Sequence, residues 1–115
     1  MANEYVQKLT ALIARLKPQT PRGKVIEVKP FFGGAAGYLD GHIFISLTKV
    51  GLALKLPDED RRRLFKAWDA KEMRYFPKAP IKKQYALMSD EYLTGPKRIK
   101  PWIQRSLAFV ESSGD

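Results

Sequence analysis

The stretch FFGGAAGYLDGHIFI, residues 31–45, places four glycines among aromatic and branched apolar side chains. Within it, Asp40-Gly41 separates two apolar runs. Two-residue type I′ hairpin turns favour this dipeptide because both of their central residues need a positive φ. The segment therefore predicts two antiparallel strands that are joined at Asp40 and Gly41.

The three earlier glycines, Gly33, Gly34 and Gly37, raise the alternative of a phosphate-binding loop. A Walker loop needs a Lys-Ser/Thr pair after its glycines, and this stretch has none. Gly34-x-x-Gly37 supplies half of a dinucleotide-binding fingerprint, but a hairpin strand follows where that fingerprint requires a helix N-terminus. We therefore predict that these glycines permit a β-bulge or a close approach of two backbones, and we expect no bound cofactor.

The residues on either side of this stretch predict a helix before it and further antiparallel strands. Helical spacing of apolar side chains predicts a first helix over residues 4–17, with Asn3 as its N-cap. Short β-branched and apolar runs predict strands over residues 24–28 and 52–56. Residues 24–56 are thus expected to form an antiparallel meander.

The second half of the chain predicts two helices and two strands. A helix is expected to begin at the acids of residues 58–60, because acids favour a helix N-terminus. Its buried stripe is predicted to consist of Leu64, Phe65 and Trp68. Strands are predicted over 72–76 and 82–88, and a last helix over 97–112. The order α-β-β-β-β-α-β-β-α lacks regular βαβ alternation, which favours an α+β fold in two layers: a mostly antiparallel sheet with helices packed on it.

Composition sets limits on the class of protein. With 115 residues, 44% hydrophobic and 29% charged, residues 1–115 are expected to form one domain with a single core. The absence of cysteine excludes disulfides, thiol catalysis and thiolate metal sites. No apolar run reaches the roughly 18 residues of a membrane span, and no signal peptide is evident, so we expect a cytoplasmic protein without a membrane partner. The core is expected to include Leu9, Leu12, Ile13, Phe44, Leu54, Phe65, Ile103 and Leu107.

Catalytic chemistry has no visible apparatus in the sequence. His42 is the only histidine, and it directly follows the predicted hairpin turn. The acids of residues 58–60 and 90–91 are typical of helix starts, not of a pair of carboxylates facing a cleft. No serine lies in a nucleophile-elbow context. We therefore predict that the protein is not an enzyme and has no metal site.

The net charge of +9 favours anionic partners. Arg61, Arg62 and Arg63 point three ways around their helix and cannot form one patch. The candidate anion or nucleic-acid surface is therefore drawn from the rest of the second half of the chain: Lys78, Lys82, Lys83, Lys97, Arg98, Lys100 and Arg105. Two functions stay open, an interaction module for a protein partner and a weak, largely non-specific nucleic-acid binder, because no sequence-specific nucleic-acid signature is present.

Taken in order, the motifs of the chain resemble those of the TfoX N-terminal domain family. Phe32-Gly33-Gly34 matches the family's Met-Phe-Gly-Gly core, and Tyr38 with Gly41 matches its Tyr-x-x-Gly turn. The resemblance extends over residues 4–112. It marks as structural the residues of the opening stretch: Phe32, Gly33, Gly34, Gly37, Tyr38, Asp40 and Gly41.

This resemblance implies a two-layer α+β fold and a non-enzymatic regulatory or interaction module. It also implies kinship with the TfoX/Sxy regulators of bacterial competence, which act with a cyclic-AMP receptor protein. Those regulators carry a second, helical C-terminal domain, which is expected to be absent from residues 1–115. No catalytic residue, cofactor or oligomeric state is implied.

Overall fold

A computed structural model describes residues 3–21, 23–74, 76 and 78–113. Its elements are α1 (Glu4–Leu16), β1 (Ile26–Phe31), β2 (Gly34–Leu39), β3 (His42–Thr48), β4 (Gly51–Lys55), α2 (Asp58–Lys66), β5 (Ala70–Met73), β6 (Lys82–Met88), α3 (Glu91–Thr94), a 3-10 turn (Pro96–Arg98) and α4 (Lys100–Ser113). The strands form one antiparallel sheet in the order β1-β2-β3-β4-β6-β5. The predicted α+β fold and element order are confirmed, with α3 and the 3-10 turn added before the last helix.

Helix α1 begins where its cap was predicted. The Asn3 side chain accepts a hydrogen bond from the Val6 N–H at 2.8 Å, and its amide donates to the Gly34 carbonyl at 3.0 Å. One side chain therefore both caps the helix and ties it to the start of β2. The helix ends at Leu16, and Lys17 closes it with a left-handed backbone at φ 47°.

Strand β1 is displaced from the predicted residues 24–28, because it begins at Ile26 and ends at Phe31. It continues through Pro30 to Phe31, which pairs with Gly34. Proline is tolerated here because β1 lies at an edge of the sheet, where an N–H directed to solvent is not needed for pairing. Only Phe32 and Gly33 are left to connect β1 with β2.

The pairing of β2 with β3 contains a β-bulge, which is possible because residue 37 is glycine. Gly37 pairs with Ile45 and Tyr38 with Ile43, so Phe44 is one residue too many on β3. Phe44 and Ile45 are both fully buried in the main core, although they are consecutive. A Cβ at position 37 would lie 2.6 Å from Ile45 Cγ2 and 3.3 Å from Phe44 Cε1, so only glycine leaves room for both side chains.

Helices α1, α2 and α4 pack on the face of the sheet that carries the main core. Five of the expected core residues are fully buried there: Leu9, Phe44, Leu54, Ile103 and Leu107. The other three, Leu12, Ile13 and Phe65, are half-buried and pack against this core. Ser106 fixes α4 to the sheet, because its hydroxyl lies 2.9 Å from the Phe44 carbonyl oxygen and 2.6 Å from that of Lys55.

Two predicted boundaries in the second half were wrong. Strand β5 ends at Met73, after an irregularity in its pairing with β6, whereas a strand over 72–76 was expected; Tyr75 and Pro77 lie outside the described residues. The last helix begins at Lys100, not at residue 97. A helix from residue 97 would need the N–H of residue 101 for its ladder, and Pro101 has none, so this proline must lie in the first turn.

We predict that Gly34→Ala lowers the free energy of unfolding by about 1–3 kcal/mol. The added Cβ would meet the Leu47 carbonyl oxygen and would lie 2.8 Å from Thr48 Cα, and backbone atoms cannot swing away. The measurement is chemical denaturation of both proteins. Gly95→Ala is the control, because its Cβ would make only an ordinary contact at 3.6 Å. Equal stability of the Gly34 variant and the control would contradict the prediction.

Candidate functional site

Antiparallel pairing brings three connections to one end of the sheet. These are the β1–β2 turn at Phe32, the β3–β4 turn at Val50 and the α2–β5 connection at Trp68. Phe76, in the β5–β6 connection, lines one depression with Phe32 and a second with Val50. We call Phe32, Val50, Trp68 and Phe76 the aromatic end of the sheet.

Phe32 occupies an unusual position for an aromatic residue. Phe32 and Gly33 form a two-residue turn with φ values of 47° and 77°, the left-handed backbone that Asn-Gly or Asp-Gly normally supplies. The Phe32 ring packs edge-on against Phe31 with 4.6 Å between centroids, yet 76% of the residue is exposed. The sequence stretch thus contains two such turns, at residues 32–33 and 40–41, and only the second was predicted.

Trp68 is more exposed still, and its predicted place in the buried stripe of α2 was wrong. Helix α2 ends at Lys66, so Trp68 lies beyond its last turn and is 90% exposed. Its N–H donates to the Phe65 carbonyl at 3.1 Å and that of Asp69 to the Leu64 carbonyl at 3.0 Å. These two bonds form a Schellman motif with Trp68, at φ 61°, in the left-handed position that glycine usually occupies.

These two aromatic residues are not placed for stability. A non-glycine residue in the left-handed region costs about 1–2 kcal/mol, and an exposed ring gains little from burial in return. Strained backbone of this kind clusters at functional sites, where the displayed side chain is needed. Phe32 and Trp68 are therefore the strongest candidates for functional residues that the structure shows.

Charged side chains surround the aromatic end. A cleft of about 670 Å³ between α1 and the β3–β4 turn has an apolar lining that includes Leu12 and Val50. Further depressions on the other side of Val50 reach Trp68 and Phe76. We call the cations that line these depressions the basic rim: Lys8, Arg15, Lys49, Lys71 and Arg74. The acids among the lining residues are Glu72 and Asp90.

The basic residues predicted as an anion surface lie elsewhere and on several elements. Lys78 is in the β5–β6 connection, and Lys82 and Lys83 begin β6 and line a depression that also contains Asp58. Lys97 and Arg98 are in the 3-10 turn, and Lys100 and Arg105 are in α4. None of these lysines and arginines lines the depressions at the aromatic end.

Two of the predicted anion-binding residues are engaged within the fold. Arg98 lies 3.4 Å from a carboxylate oxygen of Glu91 and stacks over the Tyr92 ring at 5.1 Å. Arg105 pairs at 3.1 Å with Asp60, a buried carboxylate of α2, and lies over the Trp102 ring. The Arg105 pair thus joins α4 to α2, while the Arg98 contacts join the 3-10 turn to α3 through an ion pair that is more than half exposed.

The three arginines of α2 are each engaged within the fold. Arg61 donates to the Leu56 carbonyl at 3.1 Å, Arg62 pairs with Asp58 at 2.7 Å, and Arg63 lies over the Trp102 ring at 6.0 Å. Arg61 also lies 3.4 Å from Asp58, so Arg61 and Arg62 share this acid, whereas Arg63 lies against α4. The three arginines do not combine into one cationic patch.

Tyr92 is the one described group with a shifted pKa. Burial raises the pKa of its hydroxyl and the nearby Asp69 charge adds to the rise, while Arg98 and a hydrogen bond with Trp102 act in the opposite direction. Tyr92 therefore stays protonated at neutral pH and acts as a packing residue. Within the described ranges, no three His, Asp or Glu side chains gather as metal ligands, and no helix has the length and apolar character that crossing a membrane requires.

Comparison with known families agrees with the motifs of the opening stretch. The profile of the TfoX N-terminal domain matches residues 19–110, from just after α1 into the last helix. The chain belongs to the TfoX N-terminal domain family. A comparison with curated proteins finds no match. In this TfoX N-terminal domain the glycine motif builds a turn, a close backbone approach and a bulge, and a helix N-terminus does not follow it.

We predict that Trp68→Gly raises the free energy of unfolding by about 0.5–1 kcal/mol, because it removes the left-handed strain. Trp68→Ala keeps a Cβ at the same φ and should leave stability nearly unchanged. Thermal and chemical denaturation of the three proteins measure the difference. A Trp68→Gly protein that is less stable than the Trp68→Ala protein would show that the backbone at this position is not strained.

Proposed function

We propose that this TfoX N-terminal domain is a non-enzymatic interaction module that binds a protein partner through the aromatic end of its sheet. The observation that carries the proposal is the pair Phe32 and Trp68, two exposed aromatic residues in backbone conformations that favour glycine. Tryptophan and other aromatic residues are enriched at protein interfaces, where they supply much of the binding energy. Membership of the family supports a regulatory role, of the kind that competence regulators have.

The surroundings of these residues also support a protein interface. Val50 and Leu87 form an aliphatic floor between Trp68 and Phe76, so the apolar surface is continuous across several elements. Apolar patches of this kind on a monomer mark binding surfaces more often than chance exposure. Val25, which is 65% exposed, lies at the other end of β1 beside the Asp40 turn, away from Phe32, Trp68 and Phe76, the other exposed large apolar residues in the described part of the chain.

Nucleic-acid binding is the less favoured function. Its predicted residues are spread over β6, the 3-10 turn and α4, and Arg98 and Arg105 are held by acids. Phosphate contacts alone give weak binding that carries no sequence information. The net charge of +9 favours such binding.

A pull-down from native cells, with nuclease treatment, tests the proposal. Wild-type protein is compared with the double variant Trp68→Ala/Phe76→Ala and with Val25→Ala, the matched exposed apolar control. We predict that wild-type protein and the Val25→Ala control capture the same partner proteins after nuclease treatment. The captured amount should fall by about tenfold with the double variant, since interface anchors typically each contribute 1 kcal/mol or more. Captured proteins that are insensitive to the double variant, or lost on nuclease treatment, would contradict the proposal.

We also predict that DNA binding is weak and strongly dependent on salt. Dissociation constants of about 10⁻⁴ to 10⁻⁶ M at physiological salt are expected, similar for unrelated duplexes and single strands. Charge reversal at Lys97 and Lys100 should weaken this binding, and fluorescence anisotropy over a salt series measures it. Tight binding to one sequence, with a shallow dependence on salt, would favour nucleic-acid recognition instead.

A further inference from the structure

The basic rim is poorly neutralised by the rest of the protein. Lys8 lies 3.6 Å from Glu4, and Arg74 donates to the Ala79 carbonyl. Arg15, Lys49 and Lys71 are exposed and make no ion pair with the described residues. The apolar floor around Val50 is thus bordered mainly by available positive charge.

We infer that the partner binds the aromatic end with an acidic segment that carries bulky apolar side chains. This inference rests on the proposed function and specifies the chemistry of the partner. Apolar side chains of the segment would enter the depressions beside Val50, Trp68 and Phe76. Its carboxylates would meet Lys49, Lys71 and the other cations of the basic rim, which sets orientation and raises the association rate.

A second copy of this chain fits the surface poorly. Each copy has a net charge of +9, and a two-fold interface would place one basic rim against another. Like charges brought together in this way oppose association. Charge complementarity therefore selects an acidic partner.

Strand addition is disfavoured by both edges of the sheet. The outer strand β1 carries Pro30 and the exposed charges of Glu27 and Lys29, and β5 at the other edge has only 4 residues. Such edges resist pairing with another chain. The segment must therefore be recognised by its side chains, which is what the aromatic end and the basic rim offer.

A single nucleic-acid strand is the other occupant with negative charge. Stacking of successive bases requires a run of ring faces, whereas the aliphatic side chains of Val50 and Leu87 line the depressions that contain Trp68 and Phe76. Glu72 and Asp90 also lie among the lining residues and would repel phosphates. An acidic peptide can place its carboxylates away from these acids, which a regularly charged backbone cannot do.

Selection from a phage-displayed library of random peptides tests the inference without assuming a sequence. Peptides that bind wild-type protein should be enriched in Asp and Glu together with Leu, Phe or Trp. Enrichment of neutral or basic peptides would overturn the inference. So would a failure to enrich any peptide relative to a selection on the solid support without protein. A single-stranded oligo-thymidine that competes with the selected peptides as strongly as they compete with one another would assign the surface to nucleic acid.

Variants then separate this inference from the proposed function. For a fluorescein-labelled selected peptide, Lys49→Glu/Lys71→Glu should weaken binding by about tenfold or more at low salt, because two attractions become repulsions. Lys82→Glu/Lys83→Glu makes the same change of charge outside the surface and should alter affinity less than about twofold. Equal effects of the two charge reversals would overturn the inference, while loss of binding in Trp68→Ala/Phe76→Ala would still support the proposed function.

Discussion

The rest of the structure depends on one constraint: residues 34 and 37 must be glycine, because there is no room for a Cβ at either position. At Gly34 the backbone of β2 lies against that of β3, and the Gly34 carbonyl accepts the hydrogen bond that fixes the start of α1. At Gly37 the space left by the absent Cβ admits both Phe44 and Ile45 to the core through the bulge. The two hairpins are thereby held side by side, which sets the β1–β2 turn beside the β3–β4 turn at the aromatic end.

At the aromatic end, exposing two aromatic side chains to solvent lowers the stability of the fold. Phe32 and Trp68 hold left-handed backbone conformations that glycine or asparagine would adopt with less strain, and neither gains much from burial. A protein tolerates such positions where function needs the side chain, and the surrounding structure must then impose the conformation. Here the Schellman bonds of Phe65 and Leu64, and the close pairing of Phe31 with Gly34, impose it.

Local sequence signals predicted most of the fold because they are matched by local geometry. Asp40-Gly41 has the residue types that its turn requires, and Asn3 is a preferred helix cap. Phe32-Gly33 forms the same kind of turn but carries a phenylalanine where the pattern expects Asn or Asp, so this two-residue turn was missed although the antiparallel meander was predicted. Pro101 could have indicated that the last helix begins after residue 97. A residue four positions into a helix must donate its backbone N–H, and proline has none.

The functional surface could not be predicted in the same way. Apolar periodicity assigned Trp68 to the core because it lies in register with Leu64, and only the end of α2 at Lys66 places it outside. The basic rim draws on α1, the β3–β4 turn, β5 and the residue after it, which are distant in sequence and meet only through strand order. The predicted anion surface was instead based on residues that are clustered along the chain, such as Lys82-Lys83.

The two tryptophans of the chain provide the most direct measurement, because each reports on one candidate surface. Trp68 belongs to the aromatic end, and Trp102 lies between Arg63 and Arg105 at the seam of α2 and α4. In a two-dimensional ¹H–¹⁵N spectrum, titration with a partner captured from native cells should shift and broaden the Trp68 indole signal and leave that of Trp102 in place. A shift of the Trp102 signal with an unchanged Trp68 signal would contradict the account.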